Sequence, residues 1–160
     1  MQITFKQRGI VGIDDCNIIF RNFEGRKDRY NMQGKRNFCL KIDNPEDAEA
    51  LIKDGWNVRI KPANIEGEAP KMHLPVNVNF NDRGPNIWLN TGVARRKMRE
   101  DEVHRLDFIS ILSVNMDIAP HRYMKDDGSW GKTAYLRGME IFQDVDRFDD
   151  AYAEEEYPEE

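Results

Sequence analysis

The chain has 160 residues, 39% hydrophobic and 33% charged, with a formal net charge of −5. That length supports one domain with a sizeable core and no need of staples, and no apolar run approaches the length of a membrane span. Cys16 and Cys39 have no neighbours at metal-ligand spacing, so two reduced thiols in a cytoplasmic protein are expected, with a disulfide between them as the alternative.

In chain order, alternation of period two dominates. Residues 1–5 lack a signal-peptide pattern, and a strand is expected from Ile3 to Lys6. A second strand is predicted from Asn17 to Phe23, with Phe20 inward and Arg21 and Phe23 outward. A polar loop, Glu24 to Lys35, follows and bears Gly25 and Gly34. Asn37 to Ile42 is a third strand, with Phe38, Leu40 and Ile42 on one face. The run Asp43-Asn44-Pro45-Glu46-Asp47 starts a helix: a capping residue, a first-turn proline and acids near the positive end of the dipole. Gly55 stops it. Trp56 to Lys61 reads as a fourth strand with Trp56, Val58 and Ile60 inward. Met72 to Phe80 alternates most cleanly, and Pro75 within it predicts an edge or a bulge. Turn chemistry at Asn81-Asp82-Arg83-Gly84-Pro85 leads to Asn86–Asn90, read as the return strand. A short helix is expected from Glu100 to Leu106. Phe108 to Ile118 and Thr133 to Phe142 are longer strands, joined by a tip at Asp126-Asp127-Gly128-Ser129-Trp130-Gly131.

Many short strands with one or two short helices predict a mainly β fold. We expect an OB-like five-stranded Greek-key barrel with extra hairpins over residues 1–143; a β-sandwich is the structural rival. The last 17 residues, Asp144 to Glu160, hold nine acids and one base, a net −8. With −5 for the whole chain, the first 143 residues carry +3. Such a segment repels itself and buries too little apolar surface to offset its ordering entropy, so a disordered acidic tail is expected. It serves either as a solubilising tail or as a mimic of nucleic-acid charge that competes for a basic groove.

The exposed strand faces carry Arg21, Phe23, Lys41, Arg59 and Lys61. The neighbouring loop adds Arg26, Lys27, Arg29, Tyr30, Lys35 and Arg36. Cations interleaved with rings suit a single-stranded nucleic acid, whose phosphates follow the charges and whose bases stack on the rings. The plainer reading is a solvated face whose charges protect strand edges. Trp88 points away from Ile87 and Leu89, and Trp130 stands on a glycine-flanked tip. Both are candidate stacking platforms; the alternatives are an interface residue for Trp88 and a ring folded back onto its own sheet for Trp130. Arg95, Arg96, Lys97 and Arg99 form either a phosphate clamp or a stretch balanced by Glu100, Asp101 and Glu102. The histidines His73, His104 and His121 lie far apart. No phosphate loop, nucleophile elbow or helical histidine pair occurs, so no catalysis, metal or cofactor is expected. The carboxylate pairs Asp14-Asp15 and Asp126-Asp127 read as solvated turns.

Taken together, the β-rich body, the basic and aromatic strand faces and the end Glu154-Glu155-Glu156-Tyr157-Pro158-Glu159-Glu160 resemble the single-stranded DNA-binding proteins encoded by tailed bacteriophages. The resemblance implies an OB fold, no catalysis, a place in replication or recombination, and replication or recombination proteins as partners through the tail. It also implies residence in the host cytoplasm. The chain differs from the bacterial proteins of this type, whose tail follows a Gly/Gln/Pro-rich linker and ends in Pro-Phe. RNA binding by the same barrel, and a non-enzymatic interaction or virion protein, stand as alternatives; oligomerisation stays open.

Overall fold

The computed structural model describes residues 1–145, and the expectation of a disordered tail falls largely outside the described residues. Among the described residues nine strands form: β1 (Gln2–Phe5), β2 (Val11–Asn22), β3 (Arg36–Ile42), β4 (Arg59–Lys61), β5 (Lys71–Val78), β6 (Asn86–Asn90), β7 (Arg95–Met98), β8 (Ile111–Met124) and β9 (Trp130–Gln143). One helix, α1 (Pro45–Lys53), follows β3, and a 3₁₀ turn, Val103–Asp107, precedes β8. Strands β2, β3 and β5 form an antiparallel meander. β9 then pairs in parallel with β5, and β8 joins β9 to β2. This closes a five-stranded barrel with the strand order of an OB fold. Three elements lie outside the ring: β1 on β2, β4 on β5, and the β6–β7 hairpin on β9.

The alternation read from the sequence sets much of the core. Phe38, Leu40 and Ile42 of β3 face Met72, Leu74, Val76 and Val78 of β5, and all seven are buried. The α1 helix starts as its sequence dictates: Asn44 accepts from the Glu46 N–H at 2.9 Å. It buries Ala48 and Leu51, and Gly55 takes a φ of 98° after the last turn. Trp56 is buried as expected, its indole N–H donating to Asp54 at 2.9 Å.

Four expectations are corrected. Phe20 is 68% exposed, whereas Phe23 is fully buried and stacked on Phe38 at 5.4 Å. The cause is a bulge between Ile19 and Asn22, at which Phe20 takes a φ of 53°. One extra residue in a strand exchanges its two faces from that point on. Next, Ile60 is half-exposed, because β4 is a three-residue strand outside the barrel with neither face covered. Third, Asn86–Asn90 is not the return strand of β5. The expected turn forms, with Asn81 and Gly84 exchanging backbone hydrogen bonds of 2.8 and 3.1 Å. Both edges of β5 are already taken, by β3 on one side and by β4 and β9 on the other, so β6 is carried to β9 instead. Finally, Pro75 sits inside the barrel wall. The ladder to β3 runs past it unbroken, but on the other side β4 ends opposite His73 and β9 begins opposite Val76. That gap is a local edge, where a residue without an N–H removes no ladder bond.

Candidate nucleic-acid interface

The outer face of β3 and β5 carries half-buried to exposed residues. In register across it stand Lys41, His73 and Arg59; then Cys39 and Pro75; then Asn37, Asn77 and Tyr135. The bulge adds Phe20. Its ring meets His73 edge-on, with centroids 5.6 Å apart. Since β3 lies between β2 and β5, the Phe20 ring must lie across the outer face of β3. The result is an exposed aromatic platform with cations along one border. Arg59, Lys61 and Lys71 have no acid at ion-pair distance among the described residues. Lys41 reaches Asp43 only at 3.7 Å, with both side chains exposed.

Two exposed loops bracket this face. β2 and β8 are antiparallel, so the loop after β2 and the tip after β8 lie at opposite ends of the barrel. The β2–β3 loop is built by asparagine side chains. Asn22 accepts from the N–H groups of Gly25 and Arg26 at 3.1 and 2.9 Å. Asn31 donates to the carbonyls of Arg26 and Lys35 at 2.8 and 2.9 Å, and Asn37 donates to Asn31 at 2.8 Å. Gly34 donates to the Gly25 carbonyl at 2.8 Å. The backbones come so close there that a Cβ on Gly25 would meet Gly34 at 3.1 Å, and Gly25 has a φ of 76°. At the base of the loop, the buried Asp107 carboxylate accepts from the N–H groups of Phe23 and Glu24 at 2.7 and 3.1 Å. This frame presents Tyr30, 90% exposed, with the Arg29 guanidinium over its ring. At the other end, Trp130 and Met124 are exposed beside the β8–β9 tip. There Asp127 caps the turn, and its bonds to Ser129 hold its carboxyl below the usual carboxylate range.

The residues singled out in the sequence separate into three groups. Lys27, Arg29, Tyr30, Lys35, Lys41, Arg59, Lys61 and Trp130 are exposed on the face or on the elements bracketing it. Arg26 is exposed too, but pairs with Glu24 at 3.4 Å and approaches Asp107 at 3.9 Å. A second group is engaged in the fold. Phe23 is core. Arg21 is half-buried and donates to the carbonyls of Leu106 and Ile109 at 2.8 and 2.7 Å, tying the 3₁₀ turn to β2. Arg36 is half-buried, donating to the Phe23 carbonyl at 3.0 Å and covering the Phe80 ring. Trp88 forms the third group. It stands on β6, opposite Glu140 of β9, with the Arg95 guanidinium 3.9 Å over its ring, in a groove that also holds Asp14, Asp117 and Glu140. Arg95 and Asn90 hold the Glu140 carboxyl below its ordinary value. The cluster around Arg95 is balanced locally: Arg95 pairs with Glu140, Arg96 with the buried Glu102, and Arg99 with Asp101.

Sequence reasoning missed Phe20 and His73. Their signal was present in part. Ile18-Ile19-Phe20 is an unbroken apolar run, and a strict alternation cannot bury all three. His73 was assigned to the polar face but given no role. Burial and the Arg59 guanidinium hold its imidazole below the ordinary histidine value. Burial also pushes the thiols up, Cys16 to about 12 and Cys39 to about 11, so neither is a ready nucleophile.

An OB barrel with a ringed, cation-bordered β3–β5 face between two exposed loops has the form of a single-strand-binding protein. The chain belongs to the phage single-stranded-DNA-binding family: the family model described as a putative phage ssDNA-binding domain matches residues 1–160. Three solved structures of the single-stranded DNA-binding protein from bacteriophage Enc34 share the fold. The complex with ssDNA has a TM-score of 0.58 at 10% identity, covering 91% of this chain and 93% of that one. The uncomplexed protein gives 0.54 at 13%, covering 94% and 93%. A C-terminal truncation gives 0.52 at 13%, covering 90% and 91%. No curated protein matches the sequence.

Proposed function

We propose that the chain is a non-catalytic protein that binds single-stranded DNA without sequence preference, along the β3–β5 face between the β2–β3 loop and the β8–β9 tip. The observation that carries this reading is the exposed Phe20 ring set edge-on to the half-buried His73, beside Arg59. Every base has a face to stack, so rings among cations hold a strand whatever its sequence. Membership of the phage family supports DNA as the strand, and replication or recombination intermediates are the setting proposed for it.

In this reading residues 1–143 form the binding domain and the acidic segment after it is a competitor for the face and a hook for replication or recombination proteins. A body of +3 beside a segment of −8 supports that role. A chain ending at Gln143 should bind oligonucleotides more tightly at low salt; weaker binding would sink the competitor role.

The test of the main proposal is fluorescence anisotropy with labelled oligothymidine at about 50 and about 200 mM salt. If about five phosphates are neutralised, the affinity should fall roughly 100-fold across that range. Salt-independent binding, or none, refutes the proposal. A matching oligouridine titration bound more tightly than DNA would assign the face to RNA.

A further inference from the structure

The barrel wall has an opening that the face described above does not include. β5 and β9 are paired only through Val76 with Ala134 and Asn77 with Tyr135. β6 then joins the same edge of β9 from Gly138 onward. Between these junctions Leu136 and Arg137 have no strand beside them on that edge. A cleft of about 230 Å³ opens there, with Asn79, Asn81 and Arg83 on one side and Tyr135 and Arg137 on the other. Its chemistry is one-sided. The lining has two guanidinium groups, two carboxamides and a phenol ring, and no carboxylate. The groove beside Trp88, by contrast, holds three carboxylates. Arg83 and Arg137 are exposed, with no acid at ion-pair distance among the described residues. The Arg83 N–H donates to Asn81 at 2.8 Å, which fixes the turn that carries the side chain. His121 meets the Tyr135 ring edge-on at 5.8 Å. Tyr135 is in register with Asn77 and Asn37, so the cleft continues the β3–β5 face around the barrel.

We propose that this cleft is a separate nucleotide subsite. One unpaired base of the bound strand enters it against Tyr135, and the adjoining phosphate is held by Arg83 and Arg137. This rests on the single-strand reading above and deepens it. Guanidinium groups suit phosphate, and the two asparagine side chains offer both donors and acceptors to a base edge. The volume lies below the roughly 300–1,000 Å³ of sites for larger small molecules, which favours a single base.

The experiment compares wild type with an Arg83→Ala/Arg137→Ala variant on oligothymidines of about 5 and about 16 nucleotides, lengths spanning OB-fold site sizes. Both arginines are exposed, so thermal unfolding should be unchanged. The short strand, satisfied by the main face, should bind the two proteins alike. The long strand should bind the variant about tenfold more weakly, with a salt slope smaller by roughly 0.7, the loss of one phosphate contact. Oligonucleotides carrying 5-iodouracil at single positions should photocrosslink to Tyr135 or His121 from one position of the long strand. Identical affinities and slopes at both lengths overturn the subsite, as does an equal loss at both, the mark of a general field effect. Crosslinks that never reach Tyr135 or His121 also overturn it. Failure of wild type to bind either strand removes the underlying reading instead, so the two failures are distinguishable.

Discussion

Phe20 and Phe23 stand three residues apart and should respond oppositely to truncation. Phe20 takes a φ of 53° with its ring exposed. A left-handed conformation costs a side-chain-bearing residue about 1–2 kcal/mol, which glycine avoids. Phe20→Gly gives back about 0.5–1 kcal/mol through extra freedom in the unfolded chain. It also forfeits the ring contact with His73, about 0.5–1.5 kcal/mol if it were buried and less at this exposure. The net change is within about 1 kcal/mol, a shift in Tm of no more than about 4 °C for a chain of this size. Binding should respond differently, because a lost base stack of about 1–3 kcal/mol weakens affinity roughly 5- to 150-fold. Phe23→Ala instead empties a core site against Phe38. It should cost about 3–5 kcal/mol, or roughly 6–20 °C. Scanning calorimetry and anisotropy with oligothymidine on the two variants decide the matter. A Phe20→Gly protein that unfolds early, or that binds DNA as wild type does, refutes the assignment of this ring to the interface.

Two further substitutions probe the frame and the charge of the face. Asp107→Ala removes a buried carboxylate that accepts two loop N–H groups, and chemical denaturation should show a loss of about 2–4 kcal/mol from two charge-assisted hydrogen bonds; a loss under about 0.5 kcal/mol would show that the loop base is held otherwise. The depressed His73 favours the neutral form in the free protein, so its contribution to stability is lost as pH falls from the ordinary histidine value through the lowered one. A phosphate beside it reverses the preference. Binding should therefore take up a proton and tighten between about pH 8 and about pH 6, and His73→Gln should flatten that dependence relative to wild type. An unaltered pH profile in the variant would take His73 off the strand's path.

The parts of the fold legible in the sequence were those governed by local rules. Phe38, Leu40 and Ile42, and Met72 to Val78, kept strict alternation because both strands lie in a barrel wall with one face covered. Asn44-Pro45 fixed the start of α1 through a single side-chain bond. What could not be read depended on partners distant in the chain. Strand β6 found β9 because β5 had no free edge, and pairing of that kind has no local pattern. The same holds for the site. Counting along a strand placed Arg59 and Lys61 on an exposed face, but the parity that placed Phe23 outside failed at the Phe20 bulge. Arg21 and Arg36 look in sequence like other surface cations, but carbonyls distant in the chain, 85 and 13 positions away among them, engage them in the fold.

The β2–β3 loop takes its shape from amide side chains bonded to backbone carbonyls and N–H groups: Asn22, Asn31 and Asn37. Such uncharged bonds are little affected by the Debye screening that weakens exposed ion pairs. Raising ionic strength should then loosen the hold on phosphates without remodelling the receptor. A plot of log affinity against log salt should stay straight, and its slope should count contacts instead of mixing them with loop ordering. A face framed this way would keep one fixed shape while salt alone grades its grip.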